Sequence, residues 1–427
     1  MLSGPGLPAG GRAGPEPDAG EGIERREEAL KYVYVVGTAD TKGAELAYLA
    51  RRVADAGVPV RSLDVGTRAG SVEVDVSAGE MAAHHPDGAD AVLGGDDRGV
   101  AVSAMGEAFA RYVVGRDDIA AVIGFGGGGG TSIITEGMRA LPYGLPKIMV
   151  STLASGDVAP YVDISDIIMM PSVTDFAGLN QLSRMILHNA ARAIAGMAAS
   201  PYEKTDRQQS IGLTMFGVTT DCVTAIVSRL EATHDCMVFH ATGVGGRTME
   251  KLVDDRVLSG VLDITTTEVC DLLLGGVLPA TAERFDAIAR SGVPYVGSVG
   301  ALDMVNFWAP DTVPEIHAGR KFYHHNPNVT LMRTTPEDCR RVGDWIGRKL
   351  NACNGPVRFL IPERGVSALD IEGGAFFDPE ADAALFGAIE AAFETSENRR
   401  IERLPLHIND PAFASGRSRR LPVHHLT

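Results

Sequence analysis

Residues 126–130 are an unbroken run of five glycines. The run follows the apolar stretch at residues 120–123 through Gly124 and Phe125, and leads straight into Thr131, Ser132 and a helical pattern carried by Ile133, Ile134 and Met138. Glycine loses more conformational freedom on ordering than any other residue, so five in succession inside an ordered core indicate a place where backbone must come close to something. Strand, glycine turn and helix, in that order, open a β-α unit of a parallel sheet. In such sheets ligands gather beyond the carboxyl ends of the strands.

The same wiring recurs along the chain. KYVYVVG, followed by TADTKGAELAYLARRVADAG, reads as strand, turn and helix; VPVRSLDVG and ADAVLGGDD read as further short strands, and AVSAMGEAFARYVV as a helix. A second series opens after the polar stretch at residues 201–210, with strand readings on IGLTMFG, MVFHATGVGG, GVLDITTTEV, VPYVGSVGALD and VRFLIPERGVSALD. The halves resemble one another: VVGTADTK answers MFGVTTDC, GFGGGGGTS answers ATGVGGRT, and IMVSTLASGD answers VLDITTTEV. Duplication and convergence on one wiring both explain so weak a likeness. The expectation is an α/β protein of two Rossmann-like, doubly wound parallel-sheet domains with a central cleft. These span residues 30–200 and 211–415, joined by a linker at 201–210, with a flexible leader at 1–29 and a flexible tail at 416–427.

Charge narrows the partners. In 427 residues, 39 Lys and Arg stand against 55 Asp and Glu, a formal net charge of −16 that opposes attraction to nucleic acid backbones and anionic lipid. No run approaches the roughly 18 apolar residues of a membrane span, so neither general nucleic acid binding nor a membrane is expected. Five scattered cysteines with no C-x-x-C pair read as reduced thiols, hence a cytoplasmic protein, with Cys222 a buried structural thiol.

A small anion remains a natural guest, because N–H groups at a helix N-terminus supply positive potential whatever the net charge. The candidate phosphate cradle is Gly126, Gly127, Gly128, Gly129, Gly130, Thr131 and Ser132. It is not a Walker A loop, since no Gly-Lys-Ser/Thr follows. The lysine has to come from elsewhere, and Lys42 in Gly37-Thr-Ala-Asp-Thr-Lys42 is the candidate, with Thr38 and Thr41 as hydroxyl donors and Asp40 to hold magnesium through water. The alternative reading of that stretch is a tight turn with an N-cap at Thr38 or Asp40. Thr152, Ser155 and Gly156 close the strand KIMV and offer a further phosphate or sugar rim.

In the second half, Gly245, Gly246 and Arg247 form another anion-ready turn, and Thr266, Thr267 and Arg333 complete a candidate substrate set. Glu268, Asp303 and His325 are candidate acid/base groups, the two carboxylates being more readily read as helix caps. His324 and His325 are adjacent and on a strand would face opposite ways, so no shared metal is expected there. No G-x-S-x-G elbow, H-E-x-x-H helix or cysteine cluster is present, which leaves the catalytic residues, if any, unassigned and no bound structural metal expected.

These motifs together, with PKIMVSTLASG, VFHATGVGGRTMEKLV, VGALDMVNF, HNPNVTLMRTT, PERGVSALD and LPLHIND, resemble the Tm-one-like ATP-binding family from about Lys31 to Ala414. The resemblance implies ATP, with magnesium, in the N-terminal domain and self-association as a homodimer. It places the nucleotide on the glycine loop and the Thr-Asp-Thr-Lys turn. Two functions follow as expectations: a nucleotide-regulated ATP-binding protein, or an ATP-dependent enzyme acting on a small acidic metabolite in the interdomain cleft.

Overall fold

The computed structural model describes residues 30–68, 70, 72–202 and 208–414. The leader at 1–29, the tail at 416–427 and the middle of the expected linker lie outside them. In the N-terminal domain five parallel strands, β1 (Tyr32–Gly37), β2 (Val60–Asp64), β3 (Ile119–Gly126), β4 (Lys147–Ser151) and β5 (Ile168–Pro171), lie in the order β2-β1-β3-β4-β5. Four longer helices flank them: α1 (Ala39–Ala54), α2 (Arg98–Val113), α3 (Gly128–Ala140) and α4 (Gln181–Ala199). Val33 to Val36 and Ala121 to Phe125 are almost wholly buried, as expected of strands covered on both faces. Leu46, Leu49 and Val53 of α1 pack with Leu187, Ala191 and Ile194 of α4 on one face. Met105 and Phe109 of α2 pack with Ile133, Ile134 and Met138 of α3 on the other. Gly137 permits that approach, since a Cβ there would stand 2.2 Å from the Phe109 ring.

The C-terminal domain carries six parallel strands in the order β14-β13-β9-β8-β6-β7: β6 (Gln209–Met215), β7 (His234–His240), β8 (Gly260–Thr265), β9 (Tyr295–Gly300), β13 (Val357–Pro362) and β14 (Arg399–Leu404). Strand β6 begins at Gln209, inside the stretch read as linker. An antiparallel sheet of β10 (Met304–Phe307), β11 (Phe322–Asn326) and β12 (Val329–Arg333) is inserted after β9, in the order β10-β12-β11. The longer helices here are α5 (Thr220–Leu230), α6 (Val244–Asp254), α7 (Pro336–Leu350) and α8 (Pro379–Ala392). Both large sheets are Rossmann-like and doubly wound in plan. Among the described residues no helix is long and apolar enough to cross a membrane.

Two sequence readings shift. ADAVLGGDD contains a five-residue helical turn, Ala89–Leu93, entered through Gly88 at φ 82°, rather than a strand. Short apolar runs fit either element, and only the flanking glycines distinguish them. The halves do share the leading order 2-1-3, but the motif correspondence is displaced by one strand. GFGGGGGTS ends β3, third in its domain and beside β1, whereas ATGVGGRT follows β7, the edge strand that corresponds to β2.

Candidate functional site

Strand β1 delivers its chain to α1 on one face and its neighbour β3 delivers to α3 on the other, so a crevice opens between the two strand ends, at the topological switch point of the sheet. A cavity of about 570 Å³ occupies it. Thr38, Asp40, Thr41 and Lys42 line it from the loop after β1, and Gly127, Gly128, Gly129 and Gly130 from the loop after β3. These eight residues were expected together, and the fold brings them together.

The glycines are not required by the protein itself. None of Gly127 to Gly130 is among the residues with positive φ. A Cβ added at any of the four would meet no protein atom nearer than 3.6 Å, which is ordinary contact. Elsewhere in the same domain Gly37, Gly124 and Gly137 would each collide with a neighbour at 2.6 Å or less. The four side chains are therefore missing toward the cavity and not toward the core. The helix that follows has no side-chain N-cap, and the N–H groups of Gly128, Gly129 and Gly130 have no acceptor among the described residues. Unsatisfied donors in a helix's first turn are where an anion is held.

Charge agrees with this. Lys42, Arg68 and Arg98 line the cavity, and among the described residues none of them makes an ion pair. Asp40 and Asp96 are the carboxylates of the rim, leaving it net positive in a chain of charge −16. Backbone at Lys42 leaves the helical region (φ −136°, ψ 34°), breaking α1 after its first turn. Behind this rim the buried Asp64 accepts from Ala39 N and Gly66 N, both at 2.8 Å, and so ties the loop after β1 to the loop after β2. Burial, with Asp40 nearby, pushes its carboxyl above the usual range.

Arg68, Arg98, Thr67 and the stretch Leu93, Gly94, Gly95 and Asp96 were not foreseen. The doublet Gly94-Gly95 next to Asp96, Asp97 and Arg98 was the available signal, obscured by reading the preceding run as a strand.

Other expected ligand residues are placed differently. Thr131 is buried and its hydroxyl meets Ser151 Oγ at 2.7 Å, pinning α3 to β4, while Ser132 Oγ donates to Gly128 O at 3.1 Å. Both hydroxyls serve the helix start. Gly126 lies beneath the loop, its Cβ position 3.2 Å from Gly130 Cα. Thr152 N donates to Gly126 O at 3.2 Å, and Ser155 and Gly156 are exposed in the turn beyond; none of the three is among the lining residues.

The second-half candidates do not converge. Gly245 and Gly246 are small because helix α6 lies against β7 and Glu268: Cβ atoms there would stand 1.9 Å from His240 O and 2.1 Å from Glu268 Oε1. Arg247 reaches the N-terminal domain, in a two-pronged ion pair with Asp163 at 2.7 Å on both arms. Glu268 is fully buried and accepts from Arg284 Nε at 2.6 Å and Gly243 N at 2.8 Å. Arg284 also binds Glu250 and Asp263, so Glu268 is one wall of a buried ionic cluster. Thr266 and Thr267 are buried, the former donating to Ser298 O at 3.2 Å. Arg333 and Asp303 are buried in a second cluster with Asp370 and Asp382. His325 is exposed on β11, and its neighbour His324 lines a separate cavity of about 220 Å³. Cys222 is buried as expected, and burial pushes its thiol up to about 12.

Two family models cover the two domains: the N-terminal domain of an uncharacterised protein family, UPF0261, over residues 31–203, and the C-terminal domain of that family over residues 208–421. A UPF0261 protein of Mesorhizobium japonicum is 71% identical over 385 residues, 90% of this chain and 97% of the relative. Another from Clostridium tetani is 41% identical over 397 residues, covering 92% of this chain and 98% of the relative. The ToMV resistance protein Tm-1 of Solanum lycopersicum is 41% identical over 410 residues, 90% of this chain but 54% of that longer protein.

Proposed function

The chain belongs to the UPF0261 family, and from that premise we propose that its N-terminal domain binds ATP, with the phosphates in the cavity at the β1/β3 strand ends. One observation carries the reading: four consecutive glycines with room for side chains and with backbone torsions that do not demand glycine, their N–H groups unsatisfied at a helix start. A polyphosphate fits what these residues offer. Gly128, Gly129 and Gly130 would donate main-chain N–H groups, and Lys42, Arg68 and Arg98 would balance the charge. Thr38 and Thr41, whose hydroxyls lie 3.1 Å apart, supply neutral donors at the same edge. Asp40 is the carboxylate through which magnesium would be held, supplying charge neutralisation on the phosphates when bound. About 570 Å³ lies within the range of nucleotide-sized pockets.

Binding, not turnover, is the part these residues support. Arg247, Glu268, His325 and Arg333, the set that would hold an acidic metabolite, are committed to an interdomain ion pair, a buried cluster, an exposed strand and a second buried cluster. A homodimer and a cytoplasmic setting belong to the same reading, the first from family resemblance and the second from five free thiols. Calorimetric titration with magnesium ATP tests the proposal, alongside sedimentation with and without nucleotide. Saturable binding that weakens in Lys42→Ala and Arg98→Ala supports it, and an absence of binding refutes it.

A further inference from the structure

Arg333, at the end of β12, faces three carboxyl groups from three different elements. Its Nη2 lies 2.8 Å from Asp382 Oδ1 in the first turns of α8, and 3.6 Å from Asp370 Oδ1 in the segment after β13. Asp303, in the turn between β9 and β10, completes the set. Asp303 and Asp370 are fully buried, and each leaves one oxygen, Oδ1, without a hydrogen-bond partner among the described residues. Asp370 Oδ1 and Asp382 Oδ1 stand against the same guanidinium nitrogen. Two ionised carboxylates so placed repel, and a proton held between them relieves that repulsion. Three carboxylates against one guanidinium would otherwise bury two uncompensated negative charges.

Among the described residues, the cation Arg320 donates to Arg333 O but is paired with Asp338, so it does not replace that proton. The thiols Cys270 and Cys339 face the cluster, and burial pushes both up, so they are neutral. On the side where Asp382 borders a cavity of about 590 Å³ stand Glu363, Arg364, Glu372, Arg403, His407 and Asp410. Arg403 is taken by Glu390 and Glu363, and His407 has one ring nitrogen on Ser367 O and the other on Asn409 N. Arg364 stands at the exposed rim.

The cluster holds a strap in place. Arg333 Nε donates to Phe376 O at 2.7 Å, Ser367 Oγ to Asp303 Oδ2 at 2.7 Å, and Val366 N to Asp370 Oδ2 at 2.9 Å. Residues 366–378 thereby cross the carboxyl ends of the C-terminal sheet. Ala368 N of the strap reaches Val218 O at 2.9 Å, and Phe376 and Leu369 pack with Phe216 and Val218 from the loop after β6. That loop marks this domain's own switch point, where the N-terminal domain instead has its open cavity.

We infer that the C-terminal domain retains a proton within the Asp303, Asp370 and Asp382 cluster at neutral pH, and that this proton latches the strap over the β6/β8 crevice. Loss of the proton as pH rises leaves the carboxyls repelling one another and frees the strap. Burial is the main cause holding Asp303 up to about 7 and Asp382 up to about 8. The sign follows from those raised values: the closed strap binds a proton that the open one, with carboxyls near 4, does not. Closure is therefore strongest at acid pH and is lost progressively as pH rises toward 8, by about tenfold in the opening equilibrium per pH unit for each proton held.

Hydrogen exchange of the full-length protein, corrected for the intrinsic pH dependence of exchange, tests this on peptides covering residues 363–378. Between pH 6 and 8 the wild-type strap should lose protection about tenfold per unit beyond peptides from α4, and Asp382→Asn, neutral at every pH, should flatten that dependence. Should the variant fail to fold, infrared spectra decide: a carboxylic acid carbonyl band must be present at pH 6, lost by pH 9 and retained in Asp271→Asn, which removes the other buried aspartate that burial holds up to about 7. A strap whose protection does not change with pH, an Asp382→Asn variant that keeps the wild-type slope, or a wild type without a protonated carboxyl band at pH 6 would overturn the inference.

Discussion

Replacing Gly128 or Gly129 by alanine separates the two explanations for the glycine run. Neither position has positive φ, and the added methyl would sit 3.7 Å from Leu153 Cδ1 at Gly128, or 3.6 Å from Val102 Cγ2 at Gly129. Alanine also loses less chain entropy on folding than glycine and favours helix. Each substitution should therefore raise stability of the free protein by about 0.4–1 kcal/mol. In a domain of this size that is a rise in melting temperature of roughly 1–4 °C. Gly137→Ala is the opposite control: its methyl would meet Phe109 at 2.2 Å, and the overpacking should cost about 1–3 kcal/mol. With nucleotide the order reverses. A methyl on the phosphate-facing surface displaces at least one charge-assisted hydrogen bond, worth about 1.5–3 kcal/mol, so affinity for magnesium ATP should fall about 10- to 150-fold. Differential scanning fluorimetry and calorimetric titration read the two effects on one sample. Alanine variants that melt lower than the wild type would show that the fold needs these glycines, and variants that bind nucleotide unchanged would remove the phosphate from this loop.

Three further outcomes are expected. Lys42→Ala and Arg98→Ala should each weaken magnesium ATP about tenfold or more, and raising salt should narrow the difference from wild type, since both side chains sit at an open rim; titration at two ionic strengths checks this. Glu268→Gln should lower the stability of the C-terminal domain by several kcal/mol in a denaturant titration, because it leaves Arg284 short of a carboxylate in a fully buried cluster, while nucleotide affinity stays at the wild-type value. Cys222 should resist alkylation at pH 8 until the protein is unfolded, its thiol being held neutral by burial; mass spectrometry of iodoacetamide-treated native and denatured samples reads it.

The parts of this account that could be read in advance are those where local chemistry and fold agree. Strand β1 and its Thr-Asp-Thr-Lys turn, and strand β3 with its glycines, are each a continuous stretch, and parallel-sheet wiring alone places both at strand ends. Which strands become neighbours is not a local property. Arg68 enters the cavity from the long stretch between β2 and α2, whose helices among the described residues are five-residue turns too short to show a period, and Arg98 is the first residue of α2, ahead of the periodic run from Ala101 that marks that helix in the sequence. Thr131 illustrates the converse. It has the right type and spacing for a phosphate ligand, but the hydroxyl points to Ser151 on the next strand, a contact 20 residues away in sequence. The second-half candidates failed for a shared reason. Glu268, Asp303 and Arg333 have the chemistry of a reacting centre, yet the sequence does not say which buried charges find one another, and the structure pairs them in cores. Gly245 and Gly246 look like Gly128 and Gly129 as letters, and differ in having helix-to-strand and Glu268 contacts pressed against them.

The most direct measurement is a crystal structure of the protein grown with magnesium ATP. The account predicts phosphate oxygens within hydrogen-bond distance of the main-chain nitrogens of Gly128, Gly129 and Gly130, with Lys42 and Arg98 turned toward them. Nucleotide density in any other place, or a glycine loop with no phosphate at saturating nucleotide, would contradict it.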